Sequence, residues 1–265
     1  MKRKSDRSDL NDTEWDIMKA YIPAVQSGGR PAKHSRREIV NAILYVLRTG
    51  CGWEYLPHEF PPSKTVYDYF RQWRKRGVWQ QANAALRDQN RQRQKREVSP
   101  SGAVIDSQSA QTTERGGEKG FDAGKKVKGR KRHIVVDTVG HVLTVYVHKA
   151  NLQDYHGARE VFRRLAATGL PRLHKIWADA IYKGDKTLAA WVKQQFGWIL
   201  EVVERPPGSK GFHVLPKRWV VERTFAWLGR NRRLSKDYEG CSQTTEAWIY
   251  LAMSVLMAKR LALSS

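Results

Sequence analysis

Cysteine is scarce: Cys51 and Cys241 are the only two in 265 residues. Two isolated thiols cannot build the disulfide framework of a small secreted domain. No Cys-x-x-Cys or His-x-x-x-His spacing offers a zinc-ligand motif either. Long apolar runs are missing too, and none approaches the roughly 20 residues of a membrane span. The polar stretch MKRKSDRSDLNDTEW lacks the apolar segment of a secretory leader, so a cytoplasmic, nucleoid-associated protein is expected. Acidic residues are also in short supply, with 26 Asp and Glu against 48 Lys and Arg, a formal net charge of +22.

What remains is a folded, strongly basic chain. Forty per cent of its residues are hydrophobic and ten are Trp, which excludes a disordered basic tail. A sequence pI near 10.2 makes a polyanion the default partner, with nucleic acid foremost. The bases cluster in the first hundred residues, at Lys125–Arg132 and between Lys217 and Lys236. Such clustering suits a DNA or RNA path that crosses more than one module; charge kept for solubility alone is the competing reading.

Residues 1–98 are predicted to form an all-α domain. Asp12 is placed to cap a first helix reaching Ile22, and Gly28-Gly29-Arg30-Pro31 breaks the chain. Ser35 opens a second helix with Ile39, Ile43, Leu44 and Leu47 on one side and Gly50 as its stop. Ser63 is placed to cap a third, in which Val66, Phe70 and Trp73 share a face. A fourth runs from about Val78 to Arg93. Residues 99–265 change texture, with strands expected at 103–107, 133–138, 142–149, 175–180 and 198–203. Helices are expected at about 154–165, 186–196, 216–234 and 244–261. A basic, Gly-rich excursion from Thr112 to Arg132 separates the first two strands. The order β-β-β-α-β-α-β-α is that of a mixed sheet with helices on both faces.

Three carboxylates stand where carboxylates are least expected. Asp106 follows the apolar run Ala103-Val104-Ile105, Asp179 closes Ile176-Trp177-Ala178, and Glu222 lies within the apolar helix LPKRWVVERTFAWL. Acids are seldom buried unless paired or bound to metal. Gathered at one sheet edge, these three would make an oxygen-ligand pocket for Mg²⁺ or Mn²⁺, and two ions there suit phosphodiester cleavage. The plainer readings are Asx-turns at Asp106 and Asp179, and a pairing of Glu222 with Arg218 one helical turn earlier. Asp137, in a hairpin turn, and Asp154, at a helix start, read as structural.

In the N-terminal half the strings GGRP, RREIVNAILYVLRTGCGWEYLP and PPSKTVYDYFRQWRKRGVW are long and jointly specific. So are AVIDSQS, GKKVKGRKRHIVVDT, ADAIYKG and RWVVERTFAWLGRNRRLSKDYE in the second half. By these strings the chain resembles the DDE transposases of bacterial insertion sequences, in the IS-five-type subgroup, from about Leu10 to Leu261. The resemblance implies an RNase H-like catalytic domain preceded by a helix-turn-helix-like DNA-binding domain. It also implies that Asp106, Asp179 and Glu222 are the catalytic, metal-binding acids. Relatives carry a Tyr, an Arg, the Glu and a Lys along one helix. Here Arg218 matches the Arg, whereas Leu215 and Gly229 stand at the Tyr and Lys positions, leaving Arg230 or Arg232 to replace the Lys.

The predicted DNA contacts follow from the basic clusters. Lys64, Tyr67, Arg71 and Arg74 would face a major groove from the third helix. Lys125, Lys126, Lys128, Arg130 and Arg132 would clamp phosphates, with a solvated hairpin tip as the alternative, and the resemblance implies that Arg218, Arg230 and Arg232 lie near the scissile strand. Trp53 and Tyr55 have no base beside them in Cys51–Pro57, so that loop reads as core rather than as a stacking platform. The expected function is binding of an element's terminal inverted repeats, metal-dependent cleavage and strand transfer, by at least a homodimer on double-stranded DNA. A non-catalytic DNA-binding regulator and a nuclease without strand transfer are the alternatives.

Overall fold

The computed structural model of the protein describes residues 3–24, 32–114, 117–204 and 217–263. The GGRP string and Leu215 lie outside the described residues. The chain forms two compact units: Met1–Asn90 with Gly229–Ser235 and Ala247–Ser265, and Arg91–Leu228 with Lys236–Glu246.

The first unit is helical, built from α1 (Asp12–Lys19), α2 (Arg36–Thr49), α3 (Ser63–Lys75), most of α4 (Val78–Arg93) and the greater part of α8 (Ser242–Ala262). Asn11, not Asp12, caps α1. Its extended backbone lets its side chain accept the Glu14 N–H while the Glu14 carboxylate accepts its own, a reciprocal capping box. Ser35 caps α2 as expected, accepting the Glu38 N–H at 3.2 Å, and Gly50 ends it at φ +75°, where a side chain would strain the backbone. Ser63 is the first residue inside α3 rather than its cap; Pro62 precedes it and supplies no side-chain cap.

Val66, Phe70 and Trp73 are buried along α3, and Phe70 stacks on Trp248 of α8 with ring centroids 4.1 Å apart. Trp53 joins them, 5.5 Å from Phe70 and 5.8 Å from Trp248. Tyr55, expected in the core with Trp53, is instead 78% exposed. The two residues sit in one 3-10 turn, Trp53–Tyr55, where positions two apart point in different directions, so burying the first turns the other outward.

The second unit is a mixed sheet with helices. Strand β1 (Gly102–Gln111) pairs antiparallel with β3 (Val127–Asp137), and β3 pairs antiparallel with β4 (Val142–Lys149). On its other side β1 pairs parallel with β5 (Lys175–Ala178), which pairs parallel with β6 (Ile199–Val202). A short β2 (Gly120–Asp122) extends the free edge of β3 beyond β4. An antiparallel meander continued by two parallel strands is the mixed sheet read from the strand order, in the RNase H-like arrangement that the resemblance implied. Helix α5 (Asp154–Ala166) crosses from β4 toward β5, and α6 (Leu188–Phe196) from β5 toward β6.

Alternation along β1 directs the two faces. Ala103 and Ile105 join Val135, Leu143, Ala158, Phe162, Ile176 and Leu200 in one apolar core, so Asp106 projects from the opposite face. The strand expected from His133 begins six residues earlier, at Val127, because the bases before it are paired rather than solvated. Helix α7 (Trp219–Gly229) stops at Gly229, and Arg232–Leu234 form a separate 3-10 turn, where one helix to Leu234 was expected. No described helix is long and apolar enough to cross a membrane.

Candidate active site

Asp106 occupies the middle of β1, opposite Ile134 of β3, and is half-buried. Its Oδ1 accepts the Ser107 N–H at 2.7 Å. Burial pushes the carboxyl up to about 6, and the neighbouring charge of Asp179 adds to the rise; the Ser107 N–H, Arg218 and Lys125 oppose it. Asp179 follows the last residue of β5. It caps the 3-10 turn Ala180–Gly184 by accepting the Ile181 N–H at 3.2 Å, so the Asx-type role exists alongside its place near Asp106.

Glu222 lies in the first turn of α7 and is half-exposed. Arg218, one residue before α7, ties it to the strand acids: its Nη2 lies 2.8 Å from Asp179 Oδ2 and 3.5 Å from Glu222 Oε1. The structure therefore gathers Asp106, Asp179, Glu222 and Arg218 in one place, from β1, the end of β5 and the start of α7. The guanidinium bridges Asp179 and Glu222, and its charge also favours the ionised form of Asp106.

The predicted DNA contacts divide sharply. Lys125, Lys126 and Lys128 are exposed around the β2–β3 turn, and the Lys125 ammonium donates to the Ser107 carbonyl at 3.2 Å. Arg130 and Arg132 do not belong with them. Arg130 is 1% exposed, its Nη1 donating to Asp237 Oδ1 at 3.0 Å and to the Glu239 carbonyl at 2.8 Å. Arg132 is 2% exposed and donates to the Lys236 carbonyl at 2.9 Å. Both project into the protein to hold residues 236–239, which corrects their assignment to a phosphate clamp.

In the helical unit, Lys64, Tyr67 and Arg71 are exposed at helical spacing on α3, with Arg74 half-buried beside them. Arg230 and Arg232 are exposed, and the Arg230 carbonyl accepts from Arg48 at 3.0 Å.

Two family models match the chain. Residues 10–83 match one described as "Putative transposase of IS4/5 family", and residues 97–257, more than half of the chain, match one described as "Transposase DDE domain". The chain belongs to the transposase DDE domain family. A relative from Burkholderia cepacia, "Putative transposase for insertion sequence element IS402", is 29% identical over 134 residues, 48% of this chain. "Uncharacterized protein y4sN" of Sinorhizobium fredii is 26% identical over 77 residues, 29% of this chain. The matched stretch covers 62% of the length of each of these curated relatives. Among solved structures, a pre-cleavage Mos1 transpososome aligns with 91% of this chain and 82% of its own at 10% identity and a TM-score of 0.33.

Membership of the DDE family implies use of a divalent metal ion. The donor set here fits one in chemistry, since hard divalent cations take carboxylate oxygens. Only one oxygen of Asp106 is engaged by a hydrogen bond among the described residues. The spacing is a separate matter: no cluster of three His, Cys, Asp or Glu among the described residues is close enough to grip an ion as it stands. Arg218 is salt-bridged to Asp179 and Glu222, and Lys125 adds a second positive charge near Asp106.

Sequence reasoning took Asp154 as structural, counted Lys131 only among the clustered bases of 125–132 and passed over Asp122. The structure links all three to Ser107 and Ser109, the β1 residues that follow Asp106 on the other face. The available signal was the alternation of β3, which places Lys131 on the same face as the buried His133 and Val135.

Proposed function

We propose that this DDE domain protein is the transposase of an insertion sequence. It binds the terminal inverted repeats of its element, hydrolyses DNA at the ends and joins the freed 3′-hydroxyls to target DNA. The observation that carries this reading is Arg218 bridging Asp179 to Glu222, with Asp106 within the electrostatic reach of both Asp179 and Arg218, in a chain of the transposase DDE family.

Asp106, Asp179 and Glu222 hold Mg²⁺ or Mn²⁺ in this proposal, as two ions. Bound there, the metal supplies Lewis-acid polarisation of the scissile phosphate and a more acidic water. The chain's own residues do the rest. Asp106 projects from β1 and Asp179 stands just past the end of the adjacent β5, which fixes the direction from which the phosphate is approached. Glu222 comes from a helix and closes the set. Lys125, at the Ser107 carbonyl, stands ready to hold a phosphate oxygen beside Asp106, and Lys126 and Lys128 hold the backbone further out.

In the helical unit, Lys64, Tyr67, Arg71 and Arg74 of α3 face the major groove of the element end. Two ends must be handled together, so the working form is a homodimer or larger assembly on double-stranded DNA. The protein acts where that DNA is, in the cytoplasm at the nucleoid.

The test is a cleavage and strand-transfer assay on paired DNA ends carrying the element's inverted repeats. Asp106→Asn, Asp179→Asn and Glu222→Gln should each lower cleavage by orders of magnitude while leaving end binding intact. Cleavage that persists in excess EDTA rejects the metal-dependent reading. Cleavage without joining of pre-cut ends identifies a nuclease instead.

A further inference from the structure

On the face of the sheet opposite Asp106 lies a buried polar cluster that the proposed chemistry does not use. Alternation turns the side chain of Ser107 away from that of Asp106 and toward the start of α5. There the Ser107 hydroxyl donates to Asp154 Oδ1. Asp154 is 5% exposed, and its other oxygen accepts from Lys131 Nζ at 2.9 Å. Lys131 is 3% exposed; it also donates to the Leu152 carbonyl at 3.2 Å and lies 3.4 Å from Asp122 Oδ2.

Asp122 in turn builds the β2–β3 turn. It accepts the Ser109 hydroxyl at 2.6 Å and the Lys125 N–H at 3.1 Å. The Lys125 ammonium then returns to the Ser107 carbonyl. Every polar group of Ser107 is thus engaged: the hydroxyl by Asp154, the carbonyl by Lys125, and the N–H by Asp106 itself.

Helix α5 has little freedom to shift within this cluster. A Cβ on Gly157, one turn after Asp154, would stand 2.5 Å from His133 Nε2 and 2.6 Å from His148 Nε2. His133 is itself held by the Tyr182 hydroxyl at 3.2 Å. The start of the helix is therefore packed directly against the strands that carry Ser107 and Lys131.

We propose that Asp154 is a positioning residue of the active site. Held by Lys131, it grips the Ser107 hydroxyl on one face of the sheet and so fixes the peptide N–H that orients the Asp106 carboxylate on the other. A buried ion pair that served only to fill the interior would have no reason to share its acceptor with the residue after a metal-ligating acid. Carboxylates and hydroxyls that orient a ligand from behind are worth roughly 10–100-fold in metal affinity or activity. The proposal rests on Asp106 being a metal ligand.

Ser107→Ala is the decisive variant, because it removes one hydroxyl and leaves the Asp154–Lys131 pair in place. In the full chain it should weaken Mn²⁺ binding, measured by titration calorimetry with Mn²⁺ alone, by roughly 10–100-fold. It should lower kcat for end cleavage by a similar factor and leave KM for DNA unchanged. Ser107→Thr, which restores the hydroxyl, should recover both. Asp154→Asn should match Ser107→Ala; if that variant fails to fold, the serine pair still decides. Wild-type Mn²⁺ affinity in a folded Ser107→Ala protein overturns the proposal, as does a Ser107→Thr protein no better than the alanine. Asp106→Asn separates the two levels. If it keeps full Mn²⁺ affinity, the metal reading itself fails; if it loses affinity while Ser107→Ala does not, only the positioning role fails.

Discussion

Arg218 and Asp179 form an ion pair of 2.8 Å between the approach to α7 and the end of β5. The same guanidinium reaches Glu222 at 3.5 Å. A metal ion entering among these acids must compete with a cation the chain already supplies. Arg218→Met should therefore destabilise the metal-free protein, since the acids lose their counter-charge, and should enlarge the rise in Tm on adding Mn²⁺. An identical Mn²⁺-induced shift in the variant and the parent would show that Arg218 and the metal do not share the site.

On α3, Arg71 is exposed beside Tyr67 and Lys64. If it reads a base edge, Arg71→Ala in the full chain should reduce preference for element ends over scrambled DNA by about 1–3 kcal/mol. A uniform loss on both DNAs would assign Arg71 to phosphate, and no loss on either would remove α3 from the interface.

The lysines of the β2–β3 turn predict a different signature. Lys125→Ala/Lys126→Ala/Lys128→Ala should weaken specific and scrambled DNA binding alike. The plot of log affinity against log salt should flatten by about 0.9 for each phosphate the variant no longer neutralises. A folded triple variant with the parent's slope would place the turn away from DNA.

Arg130 predicts instability instead. Its charge is buried against Asp237, so Arg130→Ala removes one partner of a buried ion pair and should cost about 3–5 kcal/mol by urea unfolding. An alanine variant as stable as the parent but defective in DNA binding would return Arg130 to the interface.

Asp137 supplies the pH test. Buried completely, it accepts N–H groups from Val139 and His141 and pairs with Arg91 at 2.6 Å. Although burial opposes the charged form, His141 and Arg91 hold its carboxyl well below the usual range. Below the ordinary carboxylate pKa near 3.8 the unfolded chain binds a proton that the folded chain refuses, so stability falls with falling pH. Unfolding free energy should drop on acidification below about pH 4 and should drop less steeply in a folded Asp137→Asn protein. Equal slopes would assign the acid sensitivity to other groups.

What the sequence disclosed depended on how local the signal was. Helix α2 could be drawn from Ser35, Gly50 and one apolar stripe, all within its own length. Asp106 and Asp179 were visible because each ends or interrupts an apolar strand, and Glu222 because its helix is otherwise apolar. The first half of β3 was hidden: Arg130, Lys131 and Arg132 look solvated until Asp237 and Asp154, distant in sequence, arrive to pair with them. What completes the helical unit was hidden for a related reason. Beyond residues 1–90 it takes back residues 229–235 and 247–265, distant in sequence. Ala247–Ser254 are all buried, and a helix apolar on every side carries no stripe that names its neighbour.

The stacking of Trp248 on Phe70 has a consequence for the order of events during synthesis. Helices α1 to α4 leave the ribosome well before the aromatic ring of α8 that packs in their core. The helical unit therefore cannot close on a partly made chain. A nascent chain stalled before residue 247 should show an incomplete helical core to a protease, and a nonsense mutation that spares every acid of the active site should still disable the helical module encoded upstream of it.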